Sequence, residues 1–177
     1  MPLLTHNELA ELLVAQADQA PVPEIAVEPA HPWNVLTTRR SVRQFADREV
    51  DLDALAGVLR PGRTEIAVAV GSGLHLWTAE RLGRQIAGAE VVAALRNRYA
   101  PAPVIVLFFA TPTDLAGHYA HLVEAGQRGY ETWLAALGLG LAGCPFGLTS
   151  TVAVEAFRQA GRPAARQLFT LALGWPR

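Results

Sequence analysis

The chain has 177 residues, of which 51% are hydrophobic and 18% charged, a balance typical of one globular domain. Fifteen basic and sixteen acidic residues give a net charge of -1 with no basic block, which argues against a nucleic-acid-binding protein. All fifteen basic residues are arginines, so the chain lacks the lysine that pyridoxal phosphate enzymes and P-loop nucleotide hydrolases require.

The cysteine and histidine content argues against further kinds of site. The single cysteine, Cys144, cannot form an internal disulfide, and the five scattered histidines lack metal-ligand spacing, so we predict no metal site. The longest apolar run, PAPVIVLFFA, is too short to span a bilayer, and the N-terminus lacks the basic region of a signal peptide. We therefore expect a cytoplasmic protein.

The N-terminal part of the chain is predicted to be an appendage. Thr5 and Glu8 form a capping-box pattern, and apolar residues then recur at helical spacing, which predicts a helix over residues 6–17. The following stretch, APVPEIAVEPAHPW, favours an extended arm because proline removes backbone donors and disfavours helix. We therefore divide the chain into a helix and arm over residues 1–36 and a domain over residues 37–177.

The first half of this domain is predicted to contain helices and strands in turn. Asp51 can cap a helix that continues to Arg60, and EIAVAVGSGLHLWTA contains two short strands joined by Gly-Ser-Gly. A short helix is expected within residues 88–98. PVIVLFFA, residues 103–110, is apolar without alternation, which predicts a central strand covered on both faces.

A long helix dominates the second half. Residues 116–137 are apolar almost all round, which predicts a helix in the core or in a subunit interface. The glycines of GLGLAGCPFG end it, and Ser150 or Thr149 can cap a further helix that ends at Ala160. QLFTLALGWP, residues 167–176, is predicted to be the closing strand.

The segment TTRRSVRQF places three arginines around one serine, just before the helix predicted at position 51. Arg39, Arg40 and Arg43 offer planar sets of donors that match a phosphate group, and the Ser41 hydroxyl could complete such a site. The alternative is that these arginines are solvated, or that they pair with the acidic residues at positions 47, 49 and 51. From the residues alone both interpretations stay open.

The order of several segments adds a second argument. RRSVRQF, VDLDALAGVLR, APVIVLFFA, AGQRGYETWLAALGLGLAGCPFG and LFTLALGWP together resemble the nitroreductase family of FMN-dependent oxidoreductases over residues 37–176. The closest likeness is to the azoline dehydrogenase branch, which includes the SagB-type enzymes of thiazole- and oxazole-modified peptides. The resemblance implies an α+β fold with a mainly antiparallel sheet flanked by helices. It also implies a homodimer that binds FMN at the subunit interface.

The resemblance assigns cofactor-binding roles to the arginine segment. Arg39, Ser41 and Arg43 would hold the FMN phosphate, the ribityl chain and the pyrimidine edge, with Arg40 nearby. A cation at the N1 and O2 edge would stabilise the negative charge that develops there when the flavin accepts a hydride.

A second set of cofactor contacts is implied near the C-terminus. CPFG would pass the flavin face, so that Pro145, Phe146 and Gly147 become contacts and the Gly147 N–H donates to flavin N5. The alternative is an ordinary helix-to-strand turn in which Phe146 fills the core. Arg177 could supply a further phosphate ligand.

The chain departs from the family pattern in two places. The family's flavin-binding loop of the PSAGNLHP type is absent, since only PGRTEIAVAV lies between Arg60 and Gly71. The Lys-Tyr pair that removes a proton in the azoline dehydrogenases is also absent, and His118 and Tyr119 of GHYAH are the candidates for that catalytic role. A structural histidine is the alternative.

The function we expect is hydride transfer between flavin N5 and a small organic or peptide-derived substrate. Azoline dehydrogenation in natural-product biosynthesis is favoured, and NAD(P)H-dependent nitro or quinone reduction is the alternative. The missing loop favours a different class, a non-catalytic scaffold or partner subunit that has lost FMN, and a flavin-binding module without turnover is a third hypothesis. The expected partners are a second copy of the chain, the substrate and a biosynthetic partner protein, with neither nucleic acid nor membrane.

Overall fold

The structure, a computed structural model, describes residues 36–177 apart from positions 38, 60, 61 and 79. The predicted N-terminal helix and the proline-rich arm lie outside the described residues.

Helices and strands share the described part of the chain about equally. The helices are α1 Leu52–Ala56, α2 Ala89–Arg98, α3 Leu115–Gly138 and α4 Thr151–Gln159. The strands are β1 Glu65–Val70, β2 Gly73–Thr78, β3 Arg81–Ala87, β4 Val104–Ala110, β5 Ala142–Phe146 and β6 Arg166–Gly174.

The strands form one sheet in the order β3-β2-β1-β4-β6-β5, and every neighbouring pair is antiparallel. β4 lies in the interior of the sheet, between β1 and β6, and is buried along its whole length. The predictions of an antiparallel α+β sheet with a central strand at residues 103–110 are therefore confirmed.

Alternate residues of β4 face two separate hydrophobic layers, as the period of a strand requires. Phe109 packs among the residues of α2 and α4, where its ring stacks on Phe157 with 3.6 Å between centroids. Phe108 faces the opposite side, with Leu55 of α1 and Trp133 of α3. The helices thus flank the sheet on both faces.

α1 is shorter than predicted. The Asp51 carboxylate accepts a hydrogen bond from the Asp53 N–H at 2.9 Å, as expected of the cap, but the helix ends at Ala56 rather than at Arg60. Gly57 follows directly, and glycine has a low helix propensity because it loses more backbone freedom than other residues. Gly57 and Val58 form a turn.

Two strands occur where none was predicted. β3 forms the outer strand of the sheet beside β2, and much of its surface is exposed. β5 contains the first three residues of CPFG, with Pro145 paired to Leu171 and Phe146 to Thr170. The alternative interpretation of CPFG as a helix-to-strand turn was wrong for the backbone of Pro145 and Phe146. An edge strand tolerates proline because it needs ladder hydrogen bonds on one side only.

Candidate functional site

The arginine segment, residues 39–45, lies along the edge of the sheet that β5 forms. Ser41 and Gly143 form a parallel bridge, in which the Val42 N–H donates to the Gly143 carbonyl at 2.9 Å. Further along, Phe45 pairs antiparallel with Pro176, which follows β6. The structure thus brings together the two segments that the family resemblance assigned to one site.

Aromatic rings support two of the arginines. The guanidinium carbon of Arg39 lies 5.4 Å from the ring centroid of Tyr130, on α3. That of Arg43 lies 5.5 Å from the ring centroid of Phe146, at the end of β5. Arg39 also donates to the Leu36 carbonyl. Contacts of a guanidinium with an aromatic face are attractive and restrict the long side chain, so both groups are partly held before any ligand binds.

The predicted alternative of internal ion pairs is not supported for these arginines. The ion pairs of the described residues join His121 and Arg128 to Glu124, Arg158 to Glu155, and Arg162 to Glu65. Within that part of the chain, no carboxylate pairs with Arg39, Arg40 or Arg43. Among the described residues, their charge is therefore not neutralised by a carboxylate.

The end of β5 combines a buried ring with an open backbone. Phe146 is buried, and its ring packs on Tyr99 with 5.2 Å between centroids, so the side chain fills the core as the alternative interpretation proposed. Pro145 is half-buried. Gly147 is exposed, and a Cβ built on it would meet no other atom within 4 Å. A flat ligand could therefore approach the Gly147 backbone closely.

Arg177 follows the Phe45–Pro176 bridge and lines a cleft of about 1060 Å³ beside the arginine segment. Acidic residues share that cleft, among them Asp47 and Glu49. The guanidinium carbon of Arg48 lies 3.9 Å from the Trp175 ring centroid. The Trp175 Nε1 donates to the Glu49 carbonyl at 3.0 Å. Arg177 is thus near the arginine segment, but in surroundings of mixed charge.

His118 and Tyr119 lie in the first turns of α3. Their ring centroids are 6.1 Å apart, Tyr119 is exposed, and the His118 Nδ1 is buried with no hydrogen-bond partner among the described residues. Tyr130, which contacts Arg39, is eleven residues further along the same helix, or about 17 Å at 1.5 Å per residue. Within one chain, the structure therefore does not bring this pair to the arginine segment.

The short link before β1 is tied to α3. Glu124 accepts hydrogen bonds from the backbone N–H groups of Arg63 at 2.6 Å and Thr64 at 3.2 Å. Arg128 donates to the Thr64 carbonyl at 2.9 Å. Burial lowers the pKa of the Arg128 guanidinium, and the nearby carboxylates of Glu124 and Glu131 partly offset this decrease. This tie could not be predicted, because a Glu and an Arg four residues apart on a helix usually form an exposed pair.

A membrane-spanning helix and a metal-binding cluster are both absent from the described part of the chain. No helix there is long and apolar enough to cross a membrane. No group of three or more metal-ligating side chains occurs among the same residues.

Comparison with known proteins relates the chain to one group of folds. No protein-family model matches the sequence, and no curated protein matches it significantly. A crystal structure from Ralstonia eutropha JMP134, assigned as a nitroreductase, superposes with a TM-score of 0.64 at 18% identity, covering 89% of this chain and 88% of the other. The fold is that of the nitroreductases.

Other nitroreductase structures agree. A nitroreductase-like family protein from Bacillus cereus gives a TM-score of 0.59 at 17% identity and covers 86% of this chain and 89% of its own. A variant of NfnB from Sphigopyxis sp. strain HMH is described as an FMN- and NADPH-dependent nitroreductase. It gives a TM-score of 0.57 at 18% identity and covers 82% of this chain and 88% of its own. Identities this low establish the nitroreductase fold rather than an activity.

Proposed function

We propose that this chain is an FMN-dependent oxidoreductase. The observation that carries the proposal is the Ser41–Gly143 bridge, which sets the arginine segment against the strand that leads to Gly147. In the family resemblance these two segments contact different parts of one cofactor, and a single ligand can reach both only if they are neighbours. The description of the NfnB fold relative as FMN-dependent supports the same cofactor.

The residues present fit the chemical groups of FMN. A phosphate monoester needs several donors that lack a competing carboxylate, and Arg39, Arg40 and Arg43 meet that condition within the described chain. A planar ring system needs backbone that can be approached closely, and Gly147 offers it. The fit thus covers both the charged end and the flat end of the cofactor.

The chain's own groups would bind and orient the cofactor. FMN, when bound, supplies a reversible hydride acceptor and donor. Arg39 and Arg43 would neutralise its phosphate and stabilise negative charge at its pyrimidine edge, and the Gly147 N–H would donate to the N5 position. Ser41 would add a hydroxyl beside the phosphate or the ribityl chain.

We favour a peptide-derived azoline as the substrate, on the strength of the sequence resemblance. Nitro or quinone reduction by NAD(P)H is the second candidate, supported by the description of NfnB as an NADPH-dependent nitroreductase. The two differ in electron route, because a dehydrogenase passes electrons to oxygen and consumes no NAD(P)H. Stopped-flow measurement of flavin reduction distinguishes the two candidates. Rapid reduction by a thiazoline-containing peptide supports the dehydrogenase, and rapid reduction by NAD(P)H supports the reductase.

We further propose that the chain forms a homodimer through the N-terminal half of α3. Leu115, Tyr119, Leu122 and Val123 are exposed there and follow helical spacing, so they form one apolar stripe. A second copy would cover the stripe. It would also allow His118 and Tyr119 to act as proton-transfer groups in the partner's site, which their distance from Arg39 prevents within one chain.

One observation favours a second function, a scaffold or partner subunit without FMN. The link at positions 62–64 is short and tied to α3 by Glu124, at the place where the family's loop contacts the flavin. A chain that has lost those contacts would keep the fold and the dimer without the cofactor.

The visible absorption spectrum decides between the two functions. Purified protein is dialysed against FMN, freed of excess, and the bound cofactor is identified by mass. About one FMN per chain supports the oxidoreductase, and a colourless protein that takes up no FMN supports the scaffold.

A further inference from the structure

A buried hydrogen-bond network lies beneath the loop of residues 147–150, which follows β5. Gln167, on β6, is 4% exposed, and its Oε1 accepts from the Ser150 N–H at 2.8 Å. The Gln167 Nε2 donates to the Tyr99 Oη at 2.7 Å and to the Thr170 Oγ1 at 2.6 Å. The Tyr99 Oη donates to the Leu148 carbonyl at 3.0 Å.

The network holds the backbone of a loop in which only Ser150 has a buried side chain. Leu148 is 54% exposed, and the residues on either side of it, Gly147 and Thr149, are exposed as well. Loops with so little packing are usually mobile. Here the Leu148 carbonyl and the Ser150 N–H are both fixed by buried side chains, so the backbone between β5 and α4 is restricted.

Tyr99 touches the chain on both sides of Gly147. Its ring packs on Phe146, with 5.2 Å between centroids, and its hydroxyl binds the Leu148 carbonyl. A second neighbour of the Phe146 ring is the guanidinium of Arg43, whose central carbon lies 5.5 Å from the ring centroid. Gly147 therefore lies between two residues that one tyrosine holds in place, next to the arginine segment.

We propose that Tyr99 and Gln167 are positioning residues that fix the Gly147 backbone for the flat end of the cofactor. The inference rests on the proposed function, since it concerns how the same site is organised. Neither residue needs to touch the cofactor. A binding surface that is already held in its bound conformation loses less conformational freedom when the ligand arrives, so affinity rises.

The test compares variants that remove parts of the network with one that removes a similar bond elsewhere. Tyr99→Phe deletes the hydroxyl and keeps the ring on Phe146, and Gln167→Leu deletes the amide. The control is Thr132→Val, because Thr132 is 3% exposed and its hydroxyl donates to the Val58 carbonyl on the other face of the sheet. Two quantities are measured: the Kd for FMN and for riboflavin, and amide hydrogen exchange at residues 147–150 without cofactor.

Tyr99→Phe should raise the Kd for FMN and the Kd for riboflavin by the same factor, roughly tenfold, since the network acts on the flat end that both share. Exchange of the Ser150 amide should become faster in both network variants. Thr132→Val should change neither quantity. Arg39→Ala, which removes the arginine that contacts Tyr130 rather than Phe146, should weaken FMN more than riboflavin, because riboflavin has no phosphate. This contrast separates positioning from a general loss of folding.

Three results would overturn the inference. Unchanged exchange in Tyr99→Phe and Gln167→Leu would show that the network does not hold the loop. Faster exchange with an unchanged Kd would show that the loop does not matter to the cofactor. If the wild-type chain bound neither flavin, the proposed function would fail and the cofactor role of Tyr99 with it, while the exchange data would still decide whether the network restrains the loop.

Discussion

The guanidinium of Arg43 rests against the ring of Phe146, with 5.5 Å from its central carbon to the ring centroid. The contact joins a segment at the start of the described chain to the last residue of β5. It uses the charge of the arginine rather than its N–H donors, so the donors can still bind an anion. The Phe146 ring is itself fixed in the core by Tyr99, which gives the arginine a rigid support.

Removing two arginines should abolish tight cofactor binding. The double variant Arg39→Ala/Arg43→Ala should weaken FMN binding by about 100-fold or more, because each charge-assisted hydrogen bond contributes roughly 1.5–3 kcal/mol. Flavin fluorescence titration measures the Kd. The matched control is Arg81→Ala/Arg158→Ala, which removes the same charge from exposed sites on β3 and α4. Equal affinity in the two double variants would show that the cofactor lies elsewhere.

Two glycines of α3 should respond oppositely to alanine. A Cβ at Gly129 would overlap the ring of Phe169, whereas a Cβ at Gly126 would meet nothing within 4 Å. Gly129→Ala should therefore lower the free energy of unfolding by roughly 1–3 kcal/mol, the usual cost of overpacking. Gly126→Ala should raise it by about 0.5–1 kcal/mol, since alanine is the better helix former. Urea denaturation checks both, and the same sign for the two variants would contradict the packing described.

The Glu124 carboxylate should contribute to stability through the short link. Glu124→Ala should lower the free energy of unfolding by roughly 1–3 kcal/mol, because it leaves the N–H groups of Arg63 and Thr64 without their acceptor. Glu155→Ala is the control, since Glu155 forms an exposed pair with Arg158 worth at most about 1 kcal/mol. Denaturation curves that did not distinguish the two variants would mean that water replaces Glu124 at no cost.

Charges placed on the apolar stripe of α3 should prevent dimerisation. Tyr119→Glu/Val123→Glu puts two carboxylates where the second copy would pack, so sedimentation should show a monomer in place of a dimer. Ala93→Glu/Ala164→Glu adds the same charges to exposed positions outside α3 and should leave a dimer. A wild-type chain that sediments as a monomer at tens of micromolar would rule out this interface.

Strong local patterns were enough to predict the interior of the fold. The apolar run at residues 103–110 and the Gly-Ser-Gly hairpin gave β4 and the β1–β2 pair, and both are confirmed. β3 could not be predicted, because RLGRQIA is largely polar and forms a strand only by pairing with β2 at the edge of the sheet. β5 was not predicted because it contains a glycine and a proline, whose low strand propensity is overridden by pairing with β6.

The candidate site could be predicted only in part, for a related reason. Charge and residue type identified the arginine segment, and the family resemblance added CPFG. The contacts of Arg39 with Tyr130 and of Arg43 with Phe146 depend on how distant elements pack, which no local pattern encodes. The network of Tyr99 and Gln167 gave no signal either, because a tyrosine after a helix and a glutamine near the start of a strand are common.

The bonds that anchor the arginine segment and the residues just after it have a consequence for the order of folding. Trp175 donates to the Glu49 carbonyl across 126 residues, and the bridges of Ser41 and Phe45 span comparable stretches of chain. Contacts between such remote residues form slowly, because a large loop must close first, whereas the β1–β2 hairpin needs only a tight turn. The sheet can therefore begin to assemble without the segment, and flavin capture would report the completion of folding rather than its start.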